Sequence, residues 1–403
     1  MEFKITKKAN LFTLILMVVG LVFTGIGVAL EMGHDSGHHL GQRLSGNLLI
    51  NSFFFFAIGL GALFFLALQY ATETGWYASV KRVIEAIMGF LPFGVAMLAL
   101  SLLIITLLDG APLYIWMDSD YYAEGGAHYD SIIAGKHGYL NKIFFWIRTV
   151  VYLGTYLIFW RAFKKRSLME DEVGGSEIHF TNYRKGAKFL VFFAVFSSTS
   201  AWDWIMSIDV HWFSTLFGWY IFAGMWCSTM IVLVTLVLYL KKLGYLPNVN
   251  ESHIHDIGKW TFATSFLWSY LWFSQFMLIW YANIPEETPY FITRIEHFKL
   301  LYFGMFLVNF ALPMVLLMSR DAKRHAGILT IVGVVVLAGH WVDMYIMIMA
   351  GSMGATAHIG ALEIGMVLLA FGFFLRIILK NLTKAPLTVK NHPFLDESIH
   401  HDI

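Results

Sequence analysis

The sequence predicts an all-α integral membrane protein, and three observations carry that prediction. Of its 403 residues, 58% are hydrophobic and only 14% are charged. Mean hydropathy is +0.64, more than a soluble domain of this size tolerates. Ten apolar stretches each reach the roughly 20 residues that a helix needs to cross a hydrocarbon core of about 30 Å. They fall near 10–31, 47–70, 84–108, 142–163, 188–209, 213–240, 257–282, 297–318, 326–350 and 357–379. Residues 1–403 thus read as a single polytopic membrane domain, with no long linker or soluble module.

The first stretch is too long for the apolar core of a cleavable signal and lacks a small-residue cleavage site, so it should remain a span. Direction follows from positive charge, because cytoplasmic loops retain Lys and Arg. With Lys4, Lys7 and Lys8 cytoplasmic, the loops holding Lys81 and Arg82, Arg161 to Lys188, Lys241 to Lys259 and Arg320 to Arg324 share that side with the C-terminal tail. About 22 of the 28 basic residues then lie there, which predicts cytoplasmic N- and C-termini. The opposite loops differ in kind. Residues 109–141 contain "DGAPLYIWMDSDYYAEGGAHYD" and residues 283–296 read "NIPEETPYFITRIE". Acidic, aromatic loops of this sort suit either docking on a neighbouring protein or plain solvation. Between the fifth and sixth spans, Asp209, His211 and Trp212 read as a tight interfacial turn.

Several function classes are excluded or disfavoured. A net charge of +1 gives no electrostatic footprint for nucleic acid. The single cysteine, Cys227, excludes an internal disulfide, a CxxC site and a Cys-ligated iron–sulfur cluster within the chain. A bis-His haem needs two histidines at matched depth on different helices. Only His340 is clearly intramembrane, while His211, His297 and His358 fall near outer span ends. The "HDSGHH" loop (34–39) could hold a metal, but a solvated loop is the simpler reading. The 36 Phe, 18 Tyr and 14 Trp could line a quinone cleft or belong to lipid-facing belts.

Ionisable residues inside spans cost about 2.5–3.5 kcal/mol each on insertion scales and are functional-site candidates by default. On the fifth span Asp203 lies about two turns from the expected outer end, with Thr199, Ser200 and Ser207 on the same helical face. On the ninth, "GHWVDMYIMIM" (339–349) sets His340 and Asp343 three apart and so on one face. The tenth begins "HIGALEIG" (358–365), which brings Glu363 to a similar depth, and Arg148 on the fourth enters the same layer. Shielded carboxylates can exchange protons through waters, and the His340–Asp343 spacing favours coupled proton chemistry. Equally, Asp203 with Arg148 could be a structural ion pair, Ser and Thr could be interhelical glue, and His340 a satisfied buried histidine. Helices five and nine would be counterparts if the second to fifth and the sixth to ninth spans were parallel repeats. The inner side looks sparser. Glu85 near Lys81 and Arg82 reads as a snorkelling interfacial pair. Asn309, four residues before Pro313, could bond the freed carbonyl or hold a water. Ser265, Ser269, Trp272 and Gln275 form a stripe along the seventh span.

Three segments taken together, "WDWIMSIDVHWFSTLFG" (202–218), "IWYANIPEET" (279–288) and "GHWVDMYIMIM" (339–349), resemble the F subunit of bacterial alternative complex III. That complex is a quinol:cytochrome c or other high-potential-acceptor oxidoreductase, and the subunit is a distant relative of NrfD and polysulfide-reductase membrane anchors. The resemblance extends over all ten spans. It implies two four-helix bundles, helices two to five and six to nine, flanked by helices one and ten, in the bacterial inner (cytoplasmic) membrane. It implies a homologous C-type quinol-binding membrane subunit alongside, periplasmic subunits carrying haem c and iron–sulfur clusters, and a terminal oxidase as a further partner. The family's motif acids fall at Asp203, His340 and Asp343. On this basis the chain is expected to bind no redox centre itself and to offer a proton path through Asp203, His340, Asp343 and Glu363. The family also leaves open quinone or quinol binding by this subunit, and a pure assembly scaffold is the third alternative.

Overall fold

The computed structural model describes residues 2–34, 38–107 and 113–402, and every regular element among them is a helix. Residues 35–37 of the "HDSGHH" loop and 109–112 of the first long outer loop lie outside the described residues. The principal helices are α1 (Lys7–His34), α2 (His38–Ala71), α3 (Lys81–Met88), α4 (Leu91–Leu107), α5 (Lys142–Val173), α6 (Glu177–Trp204) and α7 (Leu216–Lys242). They continue with α8 (Glu251–Ala282), α9 (Pro289–His297), α10 (Lys299–Phe306), α11 (Leu312–Leu316), α12 (Ala326–Ser352) and α13 (Ala361–Leu382).

Nine helical segments among the described residues are long and apolar enough to cross a membrane, counting α3 with α4 and α10 with α11 as one each. The chain is thus an α-helical, multi-pass membrane protein. The stretch missing from the nine is α8, long enough at 32 residues but diluted in hydropathy by its Trp, Tyr, Ser and Gln side chains.

Several helices overrun the expected spans, α2 at the far end, where it begins at His38 rather than 47, and others on the basic side. Helix α5 continues ten residues past 163, α6 begins at Glu177 rather than 188, and α8 begins at Glu251 rather than 257. Hydropathy marks only the part of a helix that meets lipid, whereas backbone hydrogen bonding carries the helix on into water. At the opposite end α6 stops early, at Trp204, and a 3₁₀ turn over Met206–Ile208 follows. Asp203 therefore stands in the last turn of its helix, a correction to the expected two turns of depth. The link through Asp209, His211 and Trp212 is a turn, as its sequence suggested.

Helix α2 is the central column: 94% of its apolar window is buried, and α4, α6, α7, α12 and α13 pack on it. Helix α1 stands outside and pairs with α13. Small residues permit that approach, since a Cβ on Gly20 would lie 2.4 Å from the Leu369 backbone N, and one on Gly365 2.3 Å from Thr24 N. The pair is antiparallel, with Gly27 against Leu362 at one end and Asn10 accepting from Arg376 (3.0 Å) toward the other. Both termini thus lie at one end of the molecule.

The other basic loops gather at that end. Phe3 packs edge-on against Tyr245, Ser398 bonds Ser79, Asn250 donates to the His401 carbonyl, and Asp171 accepts from Lys390 N. Helix α8 also meets the 320–324 loop there, with Gly258 against Lys323. At the far end the two long loops fold onto their own chain rather than extending away. Tyr114 donates to the Trp204 carbonyl (2.6 Å), Lys136 to the Val210 carbonyl (2.5 Å), and Tyr290 stacks on Trp212 at 3.7 Å.

Candidate functional site

Asp203 is fully buried and gripped from α5. Arg148 forks onto it, Nε to Oδ2 at 2.7 Å and Nη2 to Oδ1 at 2.8 Å, while Tyr152 donates to Oδ2 at 3.1 Å. The guanidinium lies 3.8 Å from the Tyr139 ring centroid and 4.3 Å from that of Phe144, and its third nitrogen bonds the Tyr139 carbonyl. Trp204, the next residue, ties the same two helices by donating from Nε1 to Thr149 Oγ1 at 3.0 Å. A bidentate pair supported in this way acts as a clasp between α5 and α6. The hydroxyls expected to extend it do not: Thr199 bonds Val195 O, Ser200 bonds Ser197 O and Ser207 bonds Asp203 O, all backbone carbonyls.

Glu363 is likewise fully buried and doubly held. Arg43 of α2 reaches both carboxylate oxygens, at 2.7 and 2.6 Å, and Asn47 adds a bond at 2.9 Å. The carboxylate also accepts from Gly360 N at 2.8 Å, the start of its own helix, and Arg43 bonds Glu31 of α1 as well. Polar bonds then continue inward along α2. Asn51 donates to the Asn47 carbonyl and accepts from Trp341 on α12 at 3.1 Å.

Asp343, only 3% exposed, has a different set of partners. Tyr220 of α7 donates to Oδ1 and Trp268 of α8 donates to Oδ2 at 3.0 Å, so its hydrogen-bond donors are neutral. His340, one turn earlier, is equally buried and lies edge-on to Trp268, with ring centroids 5.4 Å apart. Neither His340 nitrogen has a hydrogen-bond partner among the described residues, and it does not bond Asp343. Instead the two side chains line one cavity, closed by Phe53, Ile58, Gly224 and Met225. A second cavity also borders Asp343, lined by Tyr220, Gln275, Tyr290, Arg294 and Tyr302. Each has about 20 Å³ of room for water centres, enough for one or two waters. Arg294 closes the outer end, bonding Asp209 at 2.9 Å and the Met347 carbonyl at 3.1 Å.

The remaining candidates of the seventh and eighth spans are buried, and none of them bonds another polar side chain among the described residues. Ser269 and Gln275 bond carbonyls within α8, and Trp272 Nε1 has no partner among the described residues. Ser265 bonds the Asn309 carbonyl. That carbonyl lies four residues before Pro313 in a π turn (Leu307–Ala311), so Ser265 rather than the Asn309 side chain satisfies the group that proline frees.

The inner side is not sparse. Lys81 pairs with Glu170 at 2.5 Å, Arg82 pairs with Glu85 at 2.5 Å and with Asp171, and Ser167 bonds Glu85, most of these groups being buried. His179 opens α6 beside them, and His392 of the tail sits against Tyr77 at 3.2 Å. Burial, then the nearby Lys81, His179 and Arg82, pushes the His392 imidazole down to about 2. Glu85 does pair with Arg82 as expected, but the pair is buried rather than snorkelling, because the helix overruns bring Glu170 and Asp171 across to Lys81 and Arg82. Arg43, Glu31, Tyr220 and Trp268 escaped sequence reasoning as well. Arg43 was assigned to a loop, and Tyr and Trp carry no charge to flag them among 32 such residues.

No family model matches the chain, and no curated protein matches it.

Proposed function

We propose that the chain is a membrane subunit of a respiratory quinol:electron-acceptor oxidoreductase of the alternative complex III type, without a redox centre of its own, and that it conducts protons through Asp343. The family assignment rests on the three segments at 202–218, 279–288 and 339–349. In this reading α8 is a tenth span. The antiparallel pairing of α1 and α13 puts both termini at one end, and an even number of crossings accounts for that while nine would not. The neighbours α2, α4, α5 and α6, and likewise α7, α8, α10 and α12, suit two four-helix bundles flanked by α1 and α13. The collection of basic loops at one end suits a cytoplasmic face of a bacterial inner membrane.

The observation that carries the mechanism is that Asp343 borders two small, largely apolar cavities, with His340 in one and Arg294 in the other. A carboxylate held by neutral donors can exchange a proton with water in either cavity, and His340 offers the next acceptor. Asp203 and Glu363, each locked to an arginine, serve as fasteners for the bundle. Space for one or two waters favours proton passage over a quinone ring, which needs several times that room.

Two measurements test this. The tagged full chain isolated from its native membrane should bring with it, in stoichiometric amounts, a c-type haem subunit, an iron–sulfur subunit and a second multi-span homologue; isolation without any redox partner sinks the family assignment. In the assembled complex, Asp343→Asn should lower protons moved per electron while assembly survives. An unchanged proton ratio in Asp343→Asn would sink the path while leaving the family assignment standing.

A further inference from the structure

We propose that Glu170, His179 and His392 form a binding site for a divalent transition-metal ion of the zinc class, which fastens the C-terminal tail to the basic end of the helices. One donor atom from each of the three lies within 4.8 Å of the other two. They come from three separate stretches, the end of α5, the first turn of α6 and the tail, so only the fold brings them together. Two imidazoles and a carboxylate are an established donor set for zinc, and imidazole also suits nickel, copper and iron.

The state of the donors points to a ligand. Glu170 is 1% exposed and His179 2%, yet Glu170 Oε1 and both ring nitrogens of His179 have no hydrogen-bond partner among the described residues. Buried polar groups are almost always satisfied, so an open carboxylate oxygen and an imidazole with both nitrogens open, brought together in one buried cluster, require an explanation. Lys81 occupies Glu170 Oε2 at 2.5 Å, which leaves Oε1 for an ion and supplies the outer bond that orients a metal-bound carboxylate. His392 makes two contacts of 3.2 Å, Nε2 with Tyr77 Oη and Nδ1 accepting from Phe394 N, and ligation through Nδ1 costs it only the second, leaving Nε2–H to donate to Tyr77.

The ring geometry agrees. The imidazole centroids of His179 and His392 are 5.8 Å apart and the planes meet at 80°. A ring centroid sits roughly 3 Å from a zinc bound at about 2.1 Å, so two rings on a tetrahedral ion lie roughly 5 Å apart. Rotation of side chains is enough to close the difference. Glu73, whose Oε1 is 3.5 Å from His179 Nε2 without hydrogen-bond geometry, is 43% exposed and offers both a fourth oxygen and a route for the ion from water. Lys81 and Arg82 are already matched by Glu170, Glu85 and Asp171, so Glu73, beside His179, is the carboxylate left to offset an ion's charge.

The test uses the full-length chain without an affinity tag, purified in detergent, stripped with chelator and titrated with Co²⁺. The expected result is one Co²⁺ per chain with the intense visible bands of tetrahedral coordination, displaced by Zn²⁺. The double variant His179→Gln, His392→Gln should weaken binding by at least about 100-fold, while His400→Gln in the same tail, at an exposed position, leaves it unchanged. Absence of a tetrahedral spectrum in the stripped wild-type chain overturns the proposal whether or not the variant folds. So does a spectrum that persists in the double variant.

Discussion

Asp203 and Asp343 invite comparison because so much about them is alike. Both are buried aspartates on long helices, both accept from a tyrosine on a neighbouring helix, and a tryptophan accompanies each. They differ in one partner. Asp203 faces the fork of Arg148, whose charge is permanent, whereas Asp343 has only the Tyr220 hydroxyl and the Trp268 indole. The first arrangement fixes a negative charge in place and leaves nothing for water to do. The second holds a carboxylate by neutral groups, with two small cavities against it and, one turn away, a histidine without a hydrogen-bond partner among the described residues. The same residue type in the same kind of helix is clamped by a fixed charge in one place and held only by neutral donors in the other, and the neighbours decide which.

The contrast can be broken most forcefully at Arg148. Replacing it with Leu strands the Asp203 charge in a buried site, and thermal unfolding in detergent should register a loss of about 3–5 kcal/mol. Adding Asp203→Leu to that variant should recover most of the loss, because an apolar pair of similar volume is often neutral; failure to recover would mean that the pair specifies packing beyond its own charges. Tyr220→Phe comes next. Asp343 then loses one of two donors, and the cost should be about 1–3 kcal/mol in the same measurement. The matching change at the other site, Tyr152→Phe, should cost about 1 kcal/mol or less, since the arginine fork stays in place. Equal costs for the two tyrosines would erase the distinction drawn here. Smallest of all is His340→Phe, expected within about 1 kcal/mol of wild type and on the stabilising side, because it removes two unbonded buried nitrogens. A large destabilisation there would give His340 a structural bond through water and weaken its place as a proton acceptor.

Much of this was legible in the sequence, and the limits have physical causes. Lipid demands long apolar runs, so the span positions and the gathering of basic loops at one end could be read directly from composition. The salt bridge from Arg148 to Asp203 was one of two readings that the residues allowed, and the structure contains that bridge. Partners without charge were invisible. Nothing marks Tyr220 or Trp268 among the many aromatics until α7 packs against α12 and α8 against α7, which brings both side chains to Asp343. The inner network around Lys81, Arg82, Glu170 and Asp171 was hidden for another reason: hydropathy treats a helix that leaves the bilayer as a loop, and only the continued backbone ladder of α5 shows that these residues meet.

The antiparallel pairing of α1 with α13 has a consequence for biogenesis. The chain emerges from the ribosome N-terminus first, so the glycine-lined face of α1 waits in lipid, without its chief companion, until every later span has been inserted. Truncation before residue 361 would therefore leave the earliest helix as an orphan in the bilayer, exposing Gly20 and Gly27 to any passing small-residue surface and to membrane quality control.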